Sequence, residues 1–393
     1  MKSESPAPHY RMRIVTSLSE IAQSSWDSLI ADQTLANPFL SYAFLSAMEE
    51  SGSATEKTGW QSCFITIWDG EQLEAAMPLY EKSHSYGEYV FDWAWARAFE
   101  RHGHDYYPKL LSAIPFSPIT GSRLLARNTA AQGALIAALQ ELQEAGEYSS
   151  SHLLFLPEDQ ARMLNEEGYL LRKGVQFHWE NQGYQCFDDF LDTLDKKKRK
   201  NIRAERRKVQ EAGIQFQHVR GKDIQEDDWR FFKSCYDQTY EEHHSTPYLN
   251  LDFFLRIGRA MPENIHLVIA LRDGNKIAAS LLIHDQQRVY GRYWGCLETH
   301  PCLHFETAYY QSIDFCIQEK IAIFEGGAQG EHKMARGFLP TTTWSAHYLS
   351  HPEFFDAVSN FLVRETQDIE LYLNELHQHT PYKALKHIEV SAT

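Results

Sequence analysis

The chain has 393 residues, 43% of them hydrophobic and 13% aromatic, and a formal net charge of −15 at pH 7. That length and composition suit two domains with sizeable cores and exclude a disordered chain. The acidic balance argues against broad nonspecific nucleic-acid binding, and no apolar run approaches the roughly 20 residues that span a bilayer. Stable membrane insertion is therefore not expected. Six cysteines (Cys63, Cys186, Cys235, Cys296, Cys302 and Cys316) form no CxxC pair, and Met1 to Pro8 reads as a short polar start without a secretion signal. Reduced thiols and a cytoplasmic location follow as expectations.

Taken in order, Arg11 to Thr16 reads as a strand and Leu18 to Ile30 as a helix with one apolar side. Ser41 is placed to cap a helix running to Glu50. Cys63 to Trp68 and Leu73 to Tyr80 flank Asp69-Gly70, a hairpin signal. The stretch from Tyr86 to Phe99 is unusually aromatic. Thr129 to Ala145 reads as a helix with Gly146 just past its end. A strand at Ser151 to Leu156, a helix at Glu158 to Glu167 and a strand at Tyr169 to Trp179 complete the first half.

The second half opens with a short helix, Phe187 to Leu194, and then a strongly basic one. Nine of the thirteen residues from Lys196 to Lys208 are cationic and one is acidic, which leaves −23 for the rest of the chain. Asp195 stands where a helix cap would. Such a charge suits a phosphate, a nucleic-acid backbone or an anionic lipid surface, and the bland alternative is a solvated face. Arg203, Arg206 and Arg207 are the expected contacts, because a guanidinium binds phosphate through two bonds. A strand at Ile214 to Val219 and helices at Asp227 to Glu241 and Leu251 to Met261 follow. A second hairpin surrounds Asp273-Gly274. Then come a strand at Arg288 to Cys296, a helix at His304 to Glu319, strands at Ile321 to Glu325 and Trp344 to Leu349, and a terminal amphipathic helix. The element order gives an α/β class with mixed sheets in two halves, divided as 1–178 and 179–393.

Chemistry concentrates in the second half. The strand ending at Glu325 runs into Gly326, Gly327 and Gly330, then His332, Lys333 and Arg336. A carboxylate or imidazole can take a proton from an amine, while backbone N–H groups or a lysine steady an oxyanion. Alternation puts Tyr290, Arg292 and Trp294 on one strand face, and His304 and Glu306 open the following helix. Cys296, His300, Cys302 and His304 match no zinc spacing, so no metal is expected. There is no GxxxxGK[ST], GxGxxG or GxSxG.

Tyr290-Gly-Arg-Tyr-Trp-Gly-Cys296, Leu303-His-Phe-Glu306, Phe324-Glu-Gly-Gly-Ala-Gln-Gly-Glu-His-Lys333 and Ala335-Arg-Gly-Phe338 resemble the FemAB-like predicted N-acyltransferases. In the first half, so do His84 to Ala96, Tyr107-Pro-Lys-Leu110 and Pro115 to Gly121. The likeness runs from about Asn37 to Pro381 and includes the basic helix. It implies two tandem GNAT-type domains and attack of an amine on an activated acyl carbonyl. The expected function is acyl or aminoacyl transfer to an amine, with a cell-wall precursor as one acceptor. The donor would be acyl-CoA or aminoacyl-tRNA. Neither half carries the Q/RxxGxG/A pyrophosphate loop of acetyl-CoA users. Glu325, His304, Glu306 and His332 are the expected bases. Lys333, Arg336, Arg292, Tyr290 and Trp294 are the expected substrate contacts. The alternative is a non-catalytic module that binds RNA, a cell-wall precursor or an anionic membrane surface.

Overall fold

The computed structural model describes residues 9–146, 148–327 and 330–383, so the polar start at Met1 to Pro8 lies outside the described residues. The chain forms two compact units. Unit 1 comprises Met1–Gly174, Tyr248–Met261 and Thr342–Ile369; unit 2 comprises Val175–Pro247, Pro262–Thr341 and Glu370–Thr393. A single division at 178/179 therefore does not describe the contacts. Residues 251–260 form a helix packed beside Tyr42–Glu50 of unit 1, tied by an Arg256–Glu50 ion pair and by Phe44 edge-on to Phe253.

In unit 1, strands Tyr10–Val15, Phe64–Asp69, Gln72–Met77 and Leu125–Ala126 lie in that order as an antiparallel sheet. The helix Thr129–Glu144 supplies Leu135, Ile136 and Leu139 to the core with Ile65, Ile67 and Met77 of that sheet. Fully burying side chains of this size contributes roughly 1.5–3 kcal/mol each. Asn128 caps the helix by accepting from the Ala131 N–H. A second run of strands pairs Trp60–Ser62 with Tyr80–Lys82, then Lys109–Ser112, then Ser150–Leu156.

That second run buries charge. Lys82 and Lys109 are cross-strand partners, and both are 0% exposed. Two like charges side by side repel, and the loop before the helix Trp93–Arg101 supplies the counter-charges. Lys109 Nζ donates to Glu88 at 2.8 Å, to Ser85 at 2.8 Å and to Asp92. Lys82 Nζ lies 3.7 Å over the Trp60 ring. Tyr106 donates to Asp92 at 2.7 Å and meets His152, whose other ring nitrogen lies 2.8 Å from His347.

Unit 2 is built on antiparallel strands Ile214–Arg220, Ile265–Arg272, Asn275–His284 and Arg288–Cys296. The short strand Ile323–Glu325 then runs parallel to the last of these and antiparallel to Leu170–Glu180. The Asp273-Gly274 turn has positive φ at both residues (50° and 79°), as a two-residue hairpin with the strands' twist requires. The helix Glu226–Glu242 packs against Arg288–Cys296, where Gly295 lets the Cys235 carbonyl approach within 1.9 Å of where a Cβ would stand. Asp195 occupies the N-cap position of the basic helix Lys196–Glu211, but its side chain makes no capping hydrogen bond. Its backbone N–H is taken instead by Pro381 O at 3.0 Å. Among the described residues, no helix is long and apolar enough to cross a membrane.

Candidate functional site

A break in strand pairing creates the site. Arg288, Val289 and Tyr290 pair with Ile323, Phe324 and Glu325, and the ladder then stops. On the other edge, Leu281 pairs with Tyr293 and Leu282 with Gly291, so Arg292 is an extra residue in a β-bulge. A bulge bends its strand and flips the alternation beyond it. Tyr290 and Trp294 consequently face opposite sides, not one face, and Tyr290 is 1% exposed. The bent strand diverges from Phe324 and opens a cavity of about 110 Å³. Gly291, Arg292, Tyr293 and Trp294 line one wall, Phe324 and Gly326 another. Gly291 has to be small, because a Cβ there would lie 2.9 Å from the Phe324 ring.

The third wall is a helix with an irregular turn. Leu303–Phe305 is α-helical, Glu306–Tyr310 is a π turn, and Gln311–Glu319 is α-helical again. His304, Ala308 and Tyr309 face the cavity. The His304 ring packs against Trp294 at 4.7 Å and Tyr309 at 5.3 Å between centroids. Burial, then the charges of His332, Arg336 and Lys333, pushes the His304 imidazole down to about 4. It is a neutral proton acceptor at pH 7. Lys333 is 3% exposed and packs beside Gly326, with Nζ donating to Gly327 O at 3.0 Å. Burial and the neighbouring Arg292 charge bring its ammonium down to about 8. Ala328 and Gln329 of this loop lie outside the described residues.

Other expected site residues are placed elsewhere. Phe324 and Gly326 line the cavity, so Glu325 between them points away. It is 2% exposed and accepts from Arg288 at 2.7 Å, with neutral His178 4.0 Å from its other oxygen. Glu306 is two positions from His304, which on a helix means the opposite side. It is buried, accepts from Gln311 at 2.7 Å and Arg206 at 3.2 Å, and its Oε2 has no hydrogen-bond partner. Burial raises its carboxyl above the ordinary range, against the pull of Arg206. His332 is exposed and its ring meets the Tyr309 hydroxyl at 3.2 Å. Arg336 is held by Glu205. Sequence reasoning missed Ser280, Tyr309 and Glu205. Tyr309 could have been noticed as an aromatic one turn beyond His304; the other two required the register and the helix packing.

The basic helix contributes a second surface in this unit. Arg203, Arg206, Arg207 and Gln210 line a groove of about 420 Å³ with Phe187, Asp188 and Leu191. Arg206 is already committed to Glu306 and to Asp314 at 2.9 Å, and stacks 4.2 Å over Phe187. Arg203 pairs with Asp188 at 2.9 Å while half exposed. Among the described residues, no group of three or more His, Cys, Asp or Glu is placed to hold a metal ion.

Antiparallel strands, a bulged strand splaying from a parallel neighbour, and a helix N-terminus beside the splay define a GNAT-type fold in unit 2. The chain belongs to the FemAB-like family, described by peptidoglycan biosynthesis or recognition, whose model matches residues 17–384. Among solved structures it is similar to FemX, at 11% identity and a TM-score of 0.55, with 84% of this chain and 96% of that one covered. It is also similar to L-PGS from Bacillus licheniformis, at 10% identity and a TM-score of 0.52, with 87% and 97% covered. These likenesses concern the fold. No curated protein matches the chain in sequence.

Proposed function

We propose that unit 2 transfers a small acyl or aminoacyl group from an aminoacyl-tRNA donor to an amine of a peptidoglycan precursor. The observation that carries this is the cavity at the strand splay, with neutral His304 in its wall and Lys333 beside it. Its volume of about 110 Å³ is below the about 150 Å³ that admits benzene, which suits a short acyl group. The arginine-lined groove supports a polyanionic donor, and the missing pyrophosphate loop counts against acyl-CoA.

In this reading the acceptor nitrogen attacks the ester carbonyl carbon and a C–N bond forms. His304 takes the proton the nitrogen loses. The Lys333 ammonium faces the negative oxygen of the tetrahedral intermediate. The ester C–O bond then breaks, and the departing ribose oxygen receives the proton from His304. Ester and amine become amide and alcohol, with no net proton change.

The pH profile tests the assignment. His304 has to be neutral, so activity falls only below about 4. Lys333 has to be protonated, so kcat/KM falls above about 8. Lys333→Arg keeps its charge at high pH and should move the alkaline limb upward. His304→Gln should lower kcat by about 10²–10⁴-fold. An alkaline limb unmoved in Lys333→Arg, or full turnover in His304→Gln, rules out these roles. Binding of donor and precursor by the wild-type chain without transfer would favour the binding-module alternative.

A further inference from the structure

From Lys196 to Lys208 the basic helix carries one acid, Glu205, among nine cations. Electrostatically it is out of place on a surface that receives an anion. Its contacts explain it. Both carboxylate oxygens accept from Arg336 Nη2, at 2.9 and 3.0 Å, and one also accepts from the Tyr310 hydroxyl. Arg336 is 6% exposed. Its guanidinium lies 3.4 Å over the Phe305 ring, and its Nη1 donates to His332 O at 2.8 Å. Tyr310 closes the π turn that begins at Glu306. Glu205 thus grips the cavity helix at Tyr310 and, through Arg336, at Phe305. It also grips the loop that carries His332 and Lys333.

We infer that Glu205 is a positioning residue. It fixes Arg336 and the π turn so that His304, Tyr309 and the His332–Lys333 loop keep their places around the cavity. The same helix therefore carries two functions: arginines for the donor's phosphates and one carboxylate that holds the reaction cavity in shape. The part of this inference that concerns turnover rests on the function proposed above; the structural part does not.

The two roles pull donor affinity and turnover in opposite directions. Glu205→Gln is nearly isosteric and adds a net positive charge to the helix. If Glu205 were only a surface acid, the variant would bind tRNA at least as well and turn over normally. As a positioning residue, its loss should lower kcat at least tenfold while the donor KM stays level or falls. A ligand-free readout accompanies this. The groups facing the His332 imidazole are Arg336, Lys333, the His304 imidazole, the Tyr309 hydroxyl and the Phe305 ring. Burial and then those two cations already hold it low, and an Arg336 without its counter-charge should push its NMR titration midpoint lower still. Glu205→Asp keeps the charge but is one methylene short. It should restore the His332 midpoint more fully than kcat. An unchanged His332 midpoint in Glu205→Gln overturns the inference, as does wild-type kcat. If the wild-type chain shows no transfer, the function proposed above fails, and the His332 titration together with amide chemical-shift changes along His332–Lys333 in Glu205→Gln decides whether Glu205 positions this loop.

Discussion

Replacing Lys109 by Met should be among the most destabilising single changes in unit 1. Its ammonium is 0% exposed and neutralises Glu88 and Asp92, themselves 3% and 4% exposed. Glu88 Oε1 and Asp92 Oδ1 already have no hydrogen-bond partner. Removing the cation would leave both carboxylates buried without it. Breaking a buried ion pair from one side costs about 3–5 kcal/mol. For a unit of roughly 200 residues, each kcal/mol shifts Tm by about 2–4 °C, so the drop should be about 6–20 °C. Urea unfolding should be followed by circular dichroism, with hydrogen exchange along Lys109–Ser112 reporting on the strand itself. The companion is Lys109→Met with Glu88→Gln and Asp92→Asn, which removes both carboxylate charges with the cation, leaves Lys82 without the Glu88 carboxylate 3.9 Å away, and should still recover part of the loss. A single variant within about 1 kcal/mol of wild type would refute the reasoning, as would a triple variant no better than the single one.

Two further outcomes follow from the geometry. Gly295→Ala would drive its methyl into the Cys235 carbonyl, a backbone atom that cannot swing aside, and should cost about 1–3 kcal/mol or more; an unchanged urea midpoint would contradict that close approach. Reversing Arg203 and Arg207 to Glu should weaken tRNA binding and flatten its salt dependence, while stability changes by only about 0–1 kcal/mol per exposed charge; an identical salt slope would remove the groove as a phosphate site.

Much of the fold was legible because its signals are local. Ser41 accepts from the Phe44 N–H as a cap should, and both Asp-Gly pairs make turns between the expected strands. The strand Arg288–Cys296 lies where alternation put it, yet the faces of Tyr290 and Trp294 were misread. One bulged residue changes the parity of everything beyond it, and nothing at Arg292 announces the bulge. Asp195 has the right residue type at the right position, but a cap also needs a side-chain rotamer that the sequence does not specify. For the candidate site, the loop around Lys333 and the helix at His304 were visible as clusters of chemistry. Which groups face the cavity was not, because Glu325 and Glu306 stand one or two residues from cavity-lining positions and point elsewhere. Of the buried lysines of unit 1, Lys109 was read only as part of a motif and Lys82 was not singled out. A lysine's burial depends on partners such as Glu88 and Asp92, 21 and 17 residues away from Lys109.

The segment order of the two units bears on how the chain is made. Unit 1 takes its last residues from Thr342–Ile369, and unit 2 takes its last from Glu370 onward. Domains usually fold as they leave the ribosome, the N-terminal one first, at about 5–20 residues per second. Here the strand Ser150–Leu156 waits for its partner at residues 344–349, about 190 residues further along the chain. At those rates the wait is about 10–40 s. Throughout it, Leu153 and Leu156 have an incomplete sheet around them, and the open strand edge is a template on which a neighbouring chain can pair.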